Sequence, residues 1–337
     1  NCDNYGDYGA NELLLDEIIK GDIYNDEILI VFSAGNERVS QVCNITTGYN
    51  TITPPATAKN ILTVGATYSD NDQSTCFSSW GPTDDGRIKP EVMAPGDEDI
   101  CQAYPRIQYY LGNNDLSNGA GTSFAAPQVS GLAALLMQEY QIVYYQFYPS
   151  VPSPSTMRAV IIHGAEDIEN IGPDYSSGFG RVDSERSVSI ITDQKILERD
   201  FEELDEGQTH EFSITVSPDD EELKVTLVWD DDGSLDFNYL ENDLALTLVS
   251  PENQIYYPWV LDPSNPSLAA SRGIDLVNVV EQVYISNPIE GQWTIRVTAT
   301  NLENDQTYSL VGTHLGYRKI FFINNEGNQD LQITSIT

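Results

Sequence analysis

Apolar residues recur along this chain with two different periods, and the change from one to the other falls near residue 193. In the first part the grammar is helix alternating with short apolar strand. Asn11 to Ile19 reads as a helix, and Ile28-Leu29-Ile30-Val31-Phe32 is an uninterrupted apolar run that predicts a strand buried on both faces. A second such run covers Ile61-Leu62-Thr63-Val64-Gly65-Ala66. Ala126, Val129, Ser130, Ala133, Leu136 and Met137 follow at three- and four-residue spacing, which predicts a long helix. A further helix opens at Ser153-Pro154, with Ser153 placed to cap and Pro154 at the first helical position, where a missing N–H costs nothing. Together these predict a parallel sheet with helices on its faces.

Beyond Asp193 the period is two. Phe212, Ile214 and Val216 share one strand face, as do Leu223, Val225, Leu227 and Trp229, then Leu244, Leu246 and Leu248, and finally Trp293, Ile295, Val297 and Ala299. Pro, Gly, Asn and Asp punctuate these runs, so an antiparallel β-sandwich is expected over 194–317. Ile320 to Ile323, the turn-forming 324–328 and Leu331 to Ile333 read as the opening hairpin of a further β-module over 318–337.

At 337 residues the chain exceeds one ordinary core, which agrees with that division. Its 52 acidic against 16 Lys and Arg residues give a formal charge of -36, which argues against nucleic acid, whose phosphates such a surface repels. No run of 18 apolar residues is present, so no membrane span is expected. The first residue is Asn1, and a processed or partial product is expected, with any targeting signal upstream. Cys2, Cys43, Cys76 and Cys101 lack the paired spacing of a zinc site and favour disulfides, Cys76 and Cys101 being one pairing among several. The sequon Asn44-Ile45-Thr46 marks Asn44 as a glycosylation candidate and, with the disulfides, points to a secreted or extracellular protein.

Two short segments carry candidate chemistry. Gly119-Ala120-Gly121-Thr122-Ser123-Phe124-Ala125-Ala126-Pro127 is a small-residue loop running into a helix, which sets Ser123 at a helix N-terminus where unpaired N–H groups and the helix dipole favour a developing oxyanion. Gly121 permits close approach of a substrate backbone, and Pro127 is expected in the first helical turn. Ser33-Ala34-Gly35-Asn36-Glu37 stands at the carboxyl end of an apolar strand, where open α/β sheets place their clefts, and Asn36 can supply an amide donor. Taken singly, a turn and a helix cap account for these segments equally well.

Ser123 within GTSFAAPQVSG and Asn36 within VFSAGNE resemble the serine and oxyanion motifs of the subtilase family of serine proteases. Pro55 to Asn60, Leu62 to Ala66, Phe77 to Pro82, Asp85 to Pro90 and Ala94-Pro95-Gly96 resemble it in order. Leu227 to Asp230, Asn242-Asp243-Leu244, Asn278 to Val283 and Gly291 to Ile295 resemble the C-terminal domain of the branch typified by the oxidatively stable alkaline proteases. The resemblance implies the C-terminal portion of a subtilisin-like α/β catalytic domain over 1–193, followed by a jelly-roll-like accessory domain over 194–317. It further implies a serine endopeptidase acting on polypeptides, with Ser123 as nucleophile, Asn36 in the oxyanion hole, and Ala34, Gly35, Gly121 and Thr122 beside the substrate.

Family members also carry a catalytic Asp and then a His ahead of the serine, with a Ser-x-Gly substrate strand between the His and the asparagine motif. This chain is expected to begin after all three, because His163, His210 and His314 all follow Ser123 and none lies in an HGTH-like context. An upstream segment of the same protein would supply the Asp and His, and the chain alone would be inactive or very weak. The alternative is a catalytically silent subtilase-fold module of an extracellular structural or adhesive assembly. No cofactor is needed for the chemistry. Asp230, Asp231, Asp232, Asp236, Asn242 and Asp243 bunch along one stretch; Asp230, Asp236, Asn242 and Asp243 are the expected ligands of a structural Ca²⁺, against a solvated acidic face as the plainer reading.

Overall fold

A computed structural model describes residues 2–39, 47–97, 107–110, 116–144, 151–202, 205–235 and 240–315. The expected hairpin over 318–337, together with Cys43, Asn44, Cys101 and Asp236, lies outside the described residues. In chain order the elements of the first part are α1 (Ala10–Ile19), β1 (Val31–Ser33), β2 (Leu62–Tyr68), β3 (Val92–Asp97), β4 (Ile107–Tyr110), β5 (Leu116–Gly119), α2 (Thr122–Tyr144), α3 (Pro154–Gly164) and α4 (Ser184–Thr192). The second part holds β6 (Ile196–Phe201), β7 (Thr209–Val216), β8 (Glu222–Trp229), β9 (Asp243–Val249), β10 (Ile255–Tyr256), β11 (Trp259–Val260), β12 (Ser271–Arg272), β13 (Val280–Ser286), β14 (Gly291–Asn301) and β15 (Gln306–Gly312).

β1, β2 and β3 form a parallel sheet in that order, with Val31 opposite Leu62 and Val64 opposite Val92. Every residue of β2 is buried, as a central strand of an α/β sheet requires, and α2 packs across all three strands. The apolar run at 28–32 overstates its strand. Only Val31–Ser33 is extended, all three residues are half-buried, and Ile28 is exposed, because among the described residues β1 has a neighbour on one edge alone. Pro127 is also displaced from expectation. The helix starts at Thr122, so Pro127 is its sixth residue, and the missing N–H leaves the Ser123 carbonyl without its ladder partner.

Two four-stranded antiparallel sheets follow, β10-β9-β14-β7 and β13-β8-β15-β6. Ile214, Leu244, Leu246, Leu248, Trp293, Ile295 and Val297 from the first share one buried core with Val225, Leu227, Trp229, Tyr308 and Leu310 from the second. The alternating strands were legible from their period, but the second face of β8 was not. Thr226 and Val228, on the side opposite Leu227 and Trp229, are buried as well. They face α3, which packs on β8 and β15 and is buried along all eleven residues. Ser153 caps α3 by accepting from the Thr156 N–H at 3.2 Å, as the sequence predicts.

Candidate active site

The loop before α2 and the end of β1 meet. Thr122 donates from its backbone N–H to Asn36 Oδ1 at 2.9 Å and from its hydroxyl to the same oxygen at 3.1 Å. The Gly35 N–H donates to Thr122 Oγ1 at 3.2 Å. A backbone N–H can only donate, so the Asn36 atom facing it is the carboxamide oxygen, and the amide nitrogen is left as the outward donor of an exposed side chain. That nitrogen lies beside Gly121: a Cβ built there would stand 3.3 Å from Asn36 Nδ2.

Ser123 is the second residue of α2, and its side chain is exposed. Its N–H belongs to the first helical turn, whose donors have no partner within the helix. The turn is anchored on both sides, Gly121 N–H donating to the Gly96 carbonyl at 3.0 Å and Phe124 N–H to the Gly121 carbonyl at 2.9 Å. Gly121 has φ of 146° and Gly35 of 106°, backbone conformations that side chains with a Cβ rarely adopt. A Cβ on Gly35 would also press within 2.9 Å of Ser79 Oγ and 3.0 Å of Thr53 Oγ1.

The structure thus brings Asn36, Gly35, Gly121, Thr122 and Ser123 to one place, but in unequal roles. Ala34 and Thr122 are wholly buried, Ala34 packing with Ile52 and Ala56 while the Thr122 hydroxyl is spent on Asn36 and Gly35. What Ala34 and Thr122 can offer an incoming chain is therefore backbone. Sequence reasoning read Thr122 as a substrate contact and missed it as the group that orients Asn36; its position next to Ser123 carried no signal for that. Ser79 was missed too, although its N–H and Oγ secure the arm, donating to the Gly35 carbonyl at 3.0 Å and accepting from Glu37 N–H at 3.0 Å.

Beyond Asn36, Tyr5 donates to Glu37 Oε2 at 3.2 Å, and burial, reinforced by the Glu37 charge, pushes the Tyr5 phenol up. The Arg38 guanidinium lies 3.3 Å over the Trp80 ring centroid and donates to the Thr75 carbonyl, and its desolvation lowers its pKa. Cys76, in the adjoining turn, is disulfide-bonded.

The three histidines are engaged elsewhere. His163 Nδ1 is 3.0 Å from Thr226 Oγ1 between α3 and β8. His210, on β7, stacks on Phe201 and contacts the Tyr308 hydroxyl at 2.8 Å. His314 Nε2 lies 3.5 Å from Asp220.

The acidic residues expected to hold Ca²⁺ are disposed as follows. Asp230 is buried, pairs with Arg158 at 2.8 Å and accepts from Ser155 N–H at 2.8 Å. Asn242 Oδ1 accepts from Glu303 N–H at 2.8 Å, and its amide donates to Asn304 and Gln306. Asp243 accepts from the Thr300 hydroxyl at 2.5 Å. Among the described residues no group of three or more His, Cys, Asp or Glu is disposed to hold a metal ion. Likewise, no helix among them is long and apolar enough to cross a membrane.

Comparison with known proteins identifies the family. The family model described as the subtilase family, peptidase S8, matches residues 3–180, a little over half of the chain. C5a peptidase from Streptococcus pyogenes is 40% identical over 100 residues, covering 30% of this chain and 8% of that protein. Serine protease AprX from Bacillus subtilis is 30% identical over 175 residues, covering 48% and 35%. The serine protease/ABC transporter B family protein tagA of Dictyostelium discoideum is 26% identical over 267 residues, covering 70% and 15%. The chain therefore spans at most about a third of the length of these relatives. Among solved structures, the self-cleaved protease domain of PatA is 24% identical, with a TM-score of 0.40 over 56% of this chain and 57% of that one.

Proposed function

The chain belongs to the subtilase family, and from that premise we propose that it is the serine- and oxyanion-bearing part of a serine endopeptidase. Ser123 Oγ attacks the scissile carbonyl and carries the acyl group. The carbonyl oxygen, negative in the tetrahedral intermediate, is received between the Ser123 N–H and Asn36 Nδ2, at the positive end of α2. Gly35 and Gly121 present backbone to the substrate where a side chain would obstruct it. The proton leaving Ser123 Oγ passes to an imidazole and from there to the departing amine, after which water releases the acyl group. His163, His210 and His314 are held against Thr226, Tyr308 and Asp220, so that imidazole and the Asp orienting it come from a segment outside this sequence. A polypeptide substrate follows from this chemistry, and the disulfide on Cys76 supports an oxidising, extracellular setting.

The observation that carries the proposal is the fixed orientation of the Asn36 carboxamide, its oxygen held by Thr122 and its nitrogen left beside Gly121, two residues before Ser123. The test is to treat the full-length protein with a fluorophosphonate probe and map the modified peptide by mass spectrometry. The label should sit on Ser123 and vanish in Ser123→Ala. A label that persists in that variant, or proteolysis without labelling of Ser123, overturns the assignment. Asn36→Ala should leave the label site unchanged and lower kcat by about 10²–10³, the loss that follows removal of one oxyanion-hole donor in subtilisin.

A further inference from the structure

The run Asp230-Asp231-Asp232 at the end of β8 is the surest candidate in the sequence for a solvated acidic face, yet each of its members grips a base of the first part of the chain. Asp230 pairs with Arg158 on α3, Asp231 with Lys59 at 2.5 Å, and Asp232 with Lys20 just past α1. Lys20, Lys59 and Arg158 are three of only 16 Lys and Arg residues in the chain, and Lys59, Asp231 and Arg158 are almost wholly buried. Asn60 adds a two-way exchange with the backbone of Asp231, accepting from its N–H at 2.9 Å and donating to its carbonyl at 2.7 Å. Asp231 Oδ2, which takes Lys59, also accepts from the Glu241 N–H, and Oδ1 accepts from the Asn242 N–H, so Asp231 ties the loop before β9 to Lys59 and Asn60 at one point.

Lys59 and Asn60 end a largely buried segment whose opposite end lies against the catalytic arm. Ile52 and Ala56 pack on Ala34, and Thr53 Oγ1 lies against the backbone of Gly35. Between the two ends the segment is braced by turns, Ala56 N–H to the Thr53 carbonyl and Ala58 N–H to the Pro55 carbonyl, and by the Thr63 hydroxyl on the Ala56 carbonyl. Asp16 receives the N–H groups of both Lys59 and Asn60, at 3.1 and 2.8 Å, which keeps that end from turning independently. Close-packed protein transmits such a constraint because there is no slack to absorb it.

We propose that Asp231 is a positioning residue for the oxyanion arm: by holding Lys59 and Asn60 it fixes segment 51–60 against Ala34 and Gly35, and so fixes Asn36 at the mouth of α2. The β-sheets then brace, from its far end, the segment that backs the catalytic arm, rather than standing as an appended module. This rests on the reading of Asn36 as the oxyanion donor.

The test is a double-mutant cycle on the full-length protein, reading kcat and KM on a peptide substrate. Asp231→Asn keeps an oxygen for the Asn242 N–H but sets an amide nitrogen where Oδ2 accepted from Glu241 N–H and Lys59, and so removes the charge that holds Lys59. It should lower kcat by about tenfold, the scale of a sub-ångström misplacement, with KM little changed. In the Asn36→Ala background the same change should cost less than about twofold, because the group it positions is already gone. Equal losses in the two backgrounds, or no loss in either, overturn the proposal. Asn60→Ser, which leaves the Lys59–Asp231 pair intact, should show the same dependence on Asn36 and decides the matter if Asp231→Asn does not fold. Failure of the parent reading is seen separately: activity surviving Ser123→Ala removes the nucleophile whatever the cycle shows.

Discussion

Gly121 answers two demands at once. Its φ of 146° is open to glycine and strained for other residues, and a Cβ there would stand 3.3 Å from the Asn36 amide nitrogen, tighter than an ordinary contact. Strain of this kind costs about 1–3 kcal/mol and falls on the residue joining the Gly96 anchor to Ser123. Gly121→Ala should therefore lower kcat and the rate of fluorophosphonate labelling together, by about tenfold or more, while Ser123 keeps its place in the chain. A variant that labels and turns over at the original rate would show that Asn36 and Gly121 are not held as tightly as the distances imply. The small residues around Ser123 were legible as a close-approach loop. The role of Thr122 was not, since a hydroxyl that orients an amide 86 positions away leaves no mark on local sequence.

The same limit governs α3 as an element. Its start was readable, because Ser153 and Pro154 act within one turn. Its burial on every side was not, because Ser155, Thr156 and Arg158 are polar residues that apolar periodicity does not count, and His163, legible as a core or helix-end residue, carries no mark of its partner. Each finds its partner far along the chain: Ser309 for Ser155 and Thr156, Asp230 for Arg158 and Thr226 for His163. Periodicity reports which residues share a face, and only the fold decides what covers it. The opposite error at β1, where an apolar run gives a short half-buried strand, has the same origin.

His163 makes the junction between α3 and β8 sensitive to acid. Burial pushes its pKa well below 6.5, with the Lys224 and Lys195 charges adding to the effect. Below pH 6.5 the unfolded chain takes up a proton that the native site refuses, so the stability due to neutral His163 is present above that pH and is lost as pH falls toward the native pKa. The loss approaches about 1.4 kcal/mol for each pH unit below 6.5 until the native pKa is reached. Buried carboxyls such as Asp230 and Glu281, raised chiefly by desolvation, change stability in the opposite direction over the acid range, so the wild-type curve alone does not isolate His163. The difference in melting temperature between wild type and His163→Gln should: it should be level above pH 7 and shift in favour of the variant as pH drops from 6.5 to 5. A constant difference would mean that His163 takes up its proton as readily in the folded protein as in the unfolded chain.

At the scale of the whole molecule the period change near residue 193 divides the sequence more sharply than the structure divides. One hydrophobic cluster runs from Leu62 and Val64 through α2 and α3 to Trp229, Trp293 and Leu310. Arg158–Asp230 and Lys59–Asp231 cross the same boundary out of water, and breaking a buried pair by removing one partner costs about 3–5 kcal/mol. Unfolding the sheets alone would strip α3 and strand both cations, so the two parts should melt in a single calorimetric transition. Salt adds a second discriminating axis. With 52 acidic residues against 16 Lys and Arg, surface repulsion is large and is screened once the Debye length falls from about 20 Å in dilute buffer to several ångströms, whereas the buried pairs are screened much less. Added NaCl should therefore raise the single midpoint without dividing it. Two transitions that separate as salt increases would mean that the acidic run at 230–232 behaves as a surface contact, and with it the mechanical link from the β-sheets to Asn36 would fall.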